Sequence, residues 1–427
     1  MKSLLLALSV ILLFVETGAQ TSISSPYSAL GLGNISNVNN IRNRAMGGIG
    51  IGVRDNSTVN YFNAASYTSI DTTSFVFGGG IVGNYTEFKT NSISEDFSAI
   101  SLSHLLFGFP VTKWWKSSIG LIPFSNVGYN VVDEDYNDVL GTTQHVFEGS
   151  GGLSRFYWGN AIKPLKFLSI GINASYLFGT IDRTQYVSFP DSAYFVSSKT
   201  TSSLTIKDVY LDLGIQYFTN LKDDLSLVVG ATFNPKINLG ANKTFLSQTY
   251  YGYLTTIENF KDTVLYEPEK KGTVLMPMGF GIGFTLQQKG KWTIGADYKF
   301  DKWADFEIFG VNDSLVNSHT LSLGGEYIPN INSITSYLQR INYRLGGKYA
   351  KSNLELRNEH IDNFGITFGF GLPLRSLAVR GTKSMINLGF EVGRRGTLTN
   401  DLIQENYATF YVGISIYELW FIKRRYR

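Results

Sequence analysis

The 427-residue chain contains no cysteine. That excludes a disulfide framework, a lipid anchor on a processed cysteine, and thiolate metal or redox chemistry. Charged residues amount to only 17%, and the net charge is +3. A balance this close to neutral gives no basic surface for nucleic acid. The four histidines, His104, His145, His319 and His360, lie far apart without a His-x-x-x-His or His-Glu pattern. No metal site is therefore expected. A G-x-S-x-G elbow is also missing, so the chain is not read as an enzyme, and no cofactor is expected. Beyond the N-terminus no apolar run approaches the roughly 20 residues of a membrane helix.

What the chain has in quantity is glycine, 44 residues, with 30 phenylalanines and 25 tyrosines against only 10 prolines. Its first residues, "MKSLLLALSVILLFVETGAQ", show a lysine, a short apolar run and small residues before Gln20. This three-part pattern is that of a secretory signal peptide over 1–19. The run is too short for a membrane anchor.

From about Thr73 onward, segment after segment alternates with period two. In "FLSIGINASYLFG" one face carries Leu168, Ile170, Ile172, Ala174, Tyr176 and Phe178, and the other Ser169, Gly171, Asn173 and Ser175. "LMPMGFGIGFTLQ", "WTIGADYKF", "FGITFGFGL", "MINLGFEVG" and "TFYVGISIY" repeat the split. A soluble sandwich needs large apolar groups on its inner face. Here one face is large and apolar while the other is small, polar or charged, which suits lipid outside and a wet or plugged lumen inside. Strands spanning a membrane must close on themselves, because lipid leaves no partner for an unpaired backbone group. The expected fold is therefore all-β, a transmembrane antiparallel β-barrel of about fourteen strands.

Those strands are expected to start near Thr73, Phe97, Ser117, Gln144, Phe167, Thr205, Leu225, Thr273, Lys291, Val316, Arg340, Asn363, Met385 and Asn406. Short joins such as "FPVTKW", "KPLK", "NLKDD" and "QQKGK" alternate with longer polar ones over 131–143, 183–203 and 238–272. Short periplasmic turns and longer outer loops are the pattern of an outer-membrane barrel. Trp115, Trp292, Tyr417 and Trp420 near strand ends fit interfacial girdles. The long 238–272 join, with "TYYGYL" at 249–254, reads as a lid or a docking surface.

Residues 20–72 lack sustained alternation. Either they form a disordered periplasmic tail or a compact plug in the lumen, and the plug is favoured. Otherwise Ile41, Met46, Ile49, Ile51, Val53, Tyr61 and Phe62 would sit in water. The run Ala45–Phe77, "AMGGIGIGVRDNSTVNYFNAASYTSIDTTSFVF", resembles the hatch and first strand of the FadL/TodX family of outer-membrane channels for hydrophobic compounds. The family's asparagine-proline-alanine triplet reads Asn63, Ala64 and Ala65 here, preceded by the hatch glycines Gly47 and Gly48. "PFS" at Pro123–Ser125 is similar to the family's proline-phenylalanine-glycine element, which marks a kink opening the third strand sideways.

The resemblance implies an order of parts: signal peptide 1–19, hatch 20–72, barrel 73–422 and basic periplasmic tail 423–427. It implies passive uptake of hydrophobic small molecules, fatty-acid-like or aromatic, across the outer membrane of a Gram-negative cell. Exit would be sideways into the bilayer at a gate of Gly120, Pro123, Phe124 and Gly128. Read from the residues, Pro123 removes one ladder hydrogen bond, and the two glycines permit a bend. The alternative is a proline above the hydrocarbon, where water repairs the loss. Asp208, Asp212, Asp297, Lys299, Glu326, Arg344, Lys348 and Glu391 are expected to face the lumen as a salt-bridged interior. Arg42 and Arg44 could pair with a ligand carboxylate. Expected partners are membrane lipid, the apolar ligand and other outer-membrane or periplasmic proteins. The competing reading is a non-transporting barrel that docks a secretion, assembly or surface-protein complex.

Overall fold

The computed structural model describes residues 25–36, 39–192, 194–251, 259–374 and 383–420. The expected signal peptide, over 1–19, and basic tail, over 423–427, lie outside them. The described residues form a closed barrel of fourteen strands. In chain order these are β1 (Ser74–Lys89), β2 (Ser94–Pro110), β3 (Trp115–Asn126 and Tyr129–Asn137), β4 (Gly141–Leu165) and β5 (Leu168–Ser188). There follow β6 (Ser197–Lys222), β7 (Leu225–Asn234 and Ile237–Tyr251), β8 (Asn259–Met276 and Gly279–Gln288), β9 (Trp292–Asp301) and β10 (Ser318–Tyr327). The last four are β11 (Asn342–Leu356), β12 (Glu359–Pro373), β13 (Met385–Arg395) and β14 (Gln404–Leu419). β1 pairs with β14 from Ser74↔Leu419 to Lys89↔Gln404, which closes the wall.

Alternation sets the two faces. Ile170, Ile172 and Tyr176 of β5 are exposed on the outside, while Ser169, Asn173 and Ser175 are buried inside. The apolar outer run Leu168–Phe178 matches the roughly 9 to 11 residues a tilted strand needs to cross. Trp420 stands at the rim, stacked on Phe75 at 4.9 Å between ring centroids. Tyr417 does not belong to a girdle: it points inward and donates to Asp71 Oδ2 at 2.6 Å.

The expected long outer loops are mostly strand. Residues 237–251 pair with 259–276, and β4, β5 and β6 run for 25, 21 and 26 residues. β9 and β10 have only 10 each. One side of the barrel therefore rises well above the bilayer. Above lipid neither face must be apolar, so these extensions carry no alternating signal, and the ladder simply continues from below.

The segment Ser25–Asp71 lies inside. Its Met46 and Gly47 backbone presses on Gly324 and Gly346, and Ala64 presses on Gly171, so closely that a methyl at any of the three glycines would collide with it. The small inner face is thus contact surface for backbone. The first residues of the segment, Tyr27 and Leu32, join Phe124, Leu153, Ile206, Val274 and Phe306 of the wall and its connections in an apolar cluster inside the barrel. Phe306 reaches it from the β9–β10 connection, where Glu307–Ile308 pairs with Val274–Leu275 of β8.

Candidate functional site

Three polar anchors fix the N-terminal segment to the wall. Arg42, in the turn Ile41–Arg44, donates to Glu326 of β10 through Nε at 3.2 Å and Nη2 at 2.9 Å. Arg344 of β11 donates to the same carboxylate at 2.7 Å, and Asp55 meets Arg42 at 2.9 Å. All but Asp55 are buried. Burial alone would lower the Arg42 pKa, but the Glu326 and Asp55 carboxylates outweigh it and raise it. Arg42 is therefore not open to a ligand carboxylate, contrary to the expectation from sequence, because its charge is met within the protein.

The second anchor is Asp297 of β9, whose Oδ2 accepts from the Gly50 and Ile51 amides at 2.6 and 2.8 Å. The third is the Asn63 triplet. Asn63 Oδ1 accepts from Ala65 N at 3.1 Å, and Nδ2 donates to Ile51 O at 2.9 Å and to Ile215 O on β6 at 3.2 Å. Ala64 opens the short helical turn Ala64–Ser69. That is a position where proline is also accepted. Gly47 and Gly48 take φ of +68° and +84°, and Gly47 N donates to Thr367 Oγ1 at 2.7 Å. Among the described residues Arg54 meets no carboxylate but donates to Gln216 Oε1 at 2.9 Å, Thr68 Oγ1 at 2.8 Å and Ala65 O at 3.3 Å and lies over the Phe218 ring, and burial draws its pKa down to about 10.

Arg44 is placed differently from Arg42. Its guanidinium lies 4.9 Å from the Tyr411 ring, and its buried Nε has no hydrogen-bond partner among the described residues. It borders a cavity of about 210 Å³ with Asp297, Lys299, Lys348 and Glu391. Lys348 pairs with Glu391 and Lys299 with Asp301, at 3.0 Å for the latter. All eight acids and bases expected in the lumen do face it. Asp212 accepts from Tyr61 Oη at 2.9 Å, and Asp208 shares the inner face of Ile206 and Tyr210.

At the third strand the wall is interrupted. β2 and β3 pair only from Pro110↔Lys116 to Leu105↔Leu121. Above Leu121 the upper half of β2 pairs with β1 alone, and β3 turns inward. There Ser125 and Asn126 pair with Ile35 and Asn34 of the N-terminal segment, and Ser36 N donates to Phe124 O at 2.9 Å. Pro123 sits at the register shift against β4. Phe124 is buried under Arg155, whose guanidinium lies 5.4 Å from its ring. Gly120 stays in the regular ladder, opposite Leu106 and Tyr157, and supplies no bend, whereas Gly128 lies in the break between the two parts of β3. Gly120 instead leaves room for the Tyr157 ring and the Leu105 carbonyl. Gly128 N donates to Ser28 Oγ at 3.1 Å, and its carbonyl accepts from Ser25 N at 3.0 Å.

Sequence reasoning missed the outermost tether. Tyr27 donates to the Ile403 carbonyl beside Glu405, and burial followed by the Glu405 charge pushes its phenol up to about 12. A neutral phenol is thus favoured in the folded state. The stability this tether adds is complete below the ordinary tyrosine value near 10 and is lost as pH rises toward 12. Proteolytic nicking within residues 27–33 at fixed protease activity is expected to increase after exposure to pH across that window in the wild type, but to show no such step in Tyr27→Phe.

No curated protein sequence matches the chain. Among solved structures, the CymD monoaromatic hydrocarbon channel superposes with a TM-score of 0.57 at 12% identity, covering 92% of this chain and 100% of its own. A FadL homologue from Pseudomonas aeruginosa gives 0.58 at 10% identity, with 91% and 100% covered. The Pseudomonas putida toluene transporter TodX gives 0.57 at 15% identity, with 92% and 100% covered. At such identities the likeness is one of fold, and it bears out the FadL/TodX resemblance at that level. The family model described as BamG matches residues 1–427, the whole chain. On the barrel of the hydrophobic-compound channels, then, this chain is a member of the BamG family.

Proposed function

We propose that this protein is an outer-membrane channel for passive uptake of hydrophobic small molecules, closed in the state described. The single observation that carries this is the interrupted wall at β3. The ladder to β2 stops at Leu105↔Leu121, and what covers the opening is the two-residue strand Asn34–Ile35 from inside. In this reading Ser25–Asp71 is a hatch, and Pro123 and Phe124 line a side exit with Gly120 and Gly128 as supports. An apolar solute gains roughly 0.8 kcal/mol per methylene on leaving water, so sideways release into lipid needs no energy source. The names of TodX, a toluene transporter, and CymD, a monoaromatic hydrocarbon channel, support the same class of cargo. Arg44 is the residue placed to meet a ligand's polar end. Export behind a cleaved signal peptide belongs to the same proposal.

The cavities within the barrel are small, about 210, 190 and 80 Å³. Passage therefore requires Asn34–Ile35 to lift from β3. Pro123→Ala restores an amide that can join the wall, which is worth about 0.5–1.5 kcal/mol toward the closed state. Uptake of radiolabelled toluene by intact cells is expected to fall about 2- to 10-fold in this variant. Unchanged uptake would remove the side exit.

A second reading, docking of an outer-membrane or surface-protein complex, is favoured by the tall extension. Phe260, Val264, Leu265 and Tyr266 of β8 are exposed there. Among the described residues no strand pairs with the outer edge of 259–272. Apolar residues held in water mark a contact surface. Native mass spectrometry of protein gently purified from its own membrane discriminates the two. A stoichiometric partner lost in Val264→Lys, with toluene uptake unaffected by Pro123→Ala, would replace transport by docking.

A further inference from the structure

We propose that the barrel wall has a second side opening, between β6 and β7 at the level of the outer leaflet, held shut by Asp208 and Asp212. It deepens the side-exit reading and rests on that reading only for the direction of travel. The β6–β7 ladder runs up to Leu213↔Phe233 and resumes only at Ile206↔Ala241. Residues 207–212 of β6 therefore face 234–240 of β7 without a backbone ladder, over about 20 Å at roughly 3.3 Å per residue.

Two prolines account for the break. Pro235 and Pro277 sit in matching interruptions of β7 and β8, between the pairs Asn234↔Gly279 and Ile237↔Met276. Neither can donate to a ladder, so both strands depart from regular pairing at one level. Side chains bridge the seam in place of backbone. Asp208 Oδ2 accepts from Gly240 N at 2.6 Å, and Asp212 Oδ1 accepts from the Asn234 amide. Asp212 is in turn held by Tyr61 Oη at 2.9 Å and by Arg155 at 3.7 Å.

The seam is at lipid depth on its outer side. Register places Val209 beside Tyr176 and Leu213 beside Ile172, within the apolar outer run of β5. Val209 and Leu213 are 49% and 40% exposed. On its inner side the seam meets a cavity of about 80 Å³ bordered by Tyr210, Asp212 and Asn234. The same cavity is bordered by Phe124, next to Pro123, so both interruptions open onto one space. Its lining sets the rings of Tyr61, Phe62, Phe124 and Tyr210 beside Arg155, Asp212 and Asn234. The class of solute that fits is a small amphiphile, with an apolar body against the rings and a hydrogen-bonding end at Asp212 and Asn234.

The test uses the full chain in nanodiscs containing a phosphatidylcholine with a diazirine in the middle of one acyl chain. After irradiation, adducts are mapped by peptide mass spectrometry. Adducts are expected on the inward-facing Tyr210 and Asn234. A Cβ built at Gly240 lies 3.3 Å from Asp208 Oδ2, so Asp208→Cys with Gly240→Cys can lock the seam in a chain that has no other cysteine. The inward adducts should disappear in the oxidised double variant and return on reduction. Asp208→Ala, which removes one bridge, should raise them severalfold. Adducts confined to the outward-facing Val209 and Leu213, or inward adducts that persist in the locked variant, would overturn the proposal. Adducts on Phe124 report separately on the β3 opening. Their absence beside a labelled Tyr210 would count against the exit at β3 and leave the second opening standing.

Discussion

Replacing Glu326 by glutamine is expected to free the N-terminal segment from the wall while the barrel stays folded. Glu326 is shared by two buried guanidiniums, Arg42 and Arg344. Without its charge both cations remain buried, and only Asp55, on the side of Arg42, is left to meet them. Breaking a buried ion pair by removing one partner costs about 3–5 kcal/mol. Glu326 and Arg344 are cross-strand partners in the β10–β11 ladder, but its backbone hydrogen bonds do not use the carboxylate, so the loss falls mainly on the segment. At about 1.4 kcal/mol per factor of ten, protection of amides in 41–51 should drop roughly 10²- to 10⁴-fold. Amides of β10 and β11 should keep theirs. Equal loss in wall and segment would show the cluster to be a barrel element; no loss would show the anchor to be redundant. Arg42 adds no pH dependence in the usual range. Its pKa is raised, so its contribution is complete below the ordinary arginine value and fades only above it.

Much of this architecture was legible because the lipid belt imposes a pattern. Leu168 to Phe178 could only be an outer face, and the starts expected at Leu225 and Met385 coincide with the observed ones. The inward position of Asp297, Glu326, Arg344, Lys348 and Glu391 followed from the same alternation. The extension over 237–251 and 259–276 was illegible, since water wets both faces above the membrane and period two vanishes. Gly120 misled for another reason. A glycine written in a strand looks the same whether it supplies a bend or makes room for a neighbour such as Tyr157, and only the packing around it separates the two. The Arg42–Glu326 pair spans 284 residues of sequence, so no local spacing could reveal it. The prolines at 235 and 277 were visible, but their significance depends on the register that sets them side by side.

The glycines at the centre of the wall lead to the second large effect. Gly324 of β10 and Gly346 of β11 are cross-strand partners, and both lie against the Met46–Gly47 backbone. A valine at each would insert branched carbons where a single methyl already collides with that backbone. Overpacking of this kind costs about 1–3 kcal/mol per site. The strain has two outlets, deformation of the ladders on both sides or displacement of the segment. The first disrupts backbone hydrogen bonds that lipid cannot replace. Displacement breaks contacts that lie within the lumen, so it is the cheaper relief. Gly324→Val with Gly346→Val is therefore expected to retain the barrel's circular dichroism and heat resistance while Met46 and Gly47 lose exchange protection. In planar bilayers the wild type should conduct little through interior cavities of about 210, 190 and 80 Å³, and the double variant should open a steady aqueous pore. Its cells should also admit vancomycin, which an intact outer membrane excludes. A folded variant without conductance would mean that the apolar cluster around Phe124 and Phe306 seals the barrel by itself, so that the N-terminal segment is a brace for the wall and that cluster is the true barrier to entry.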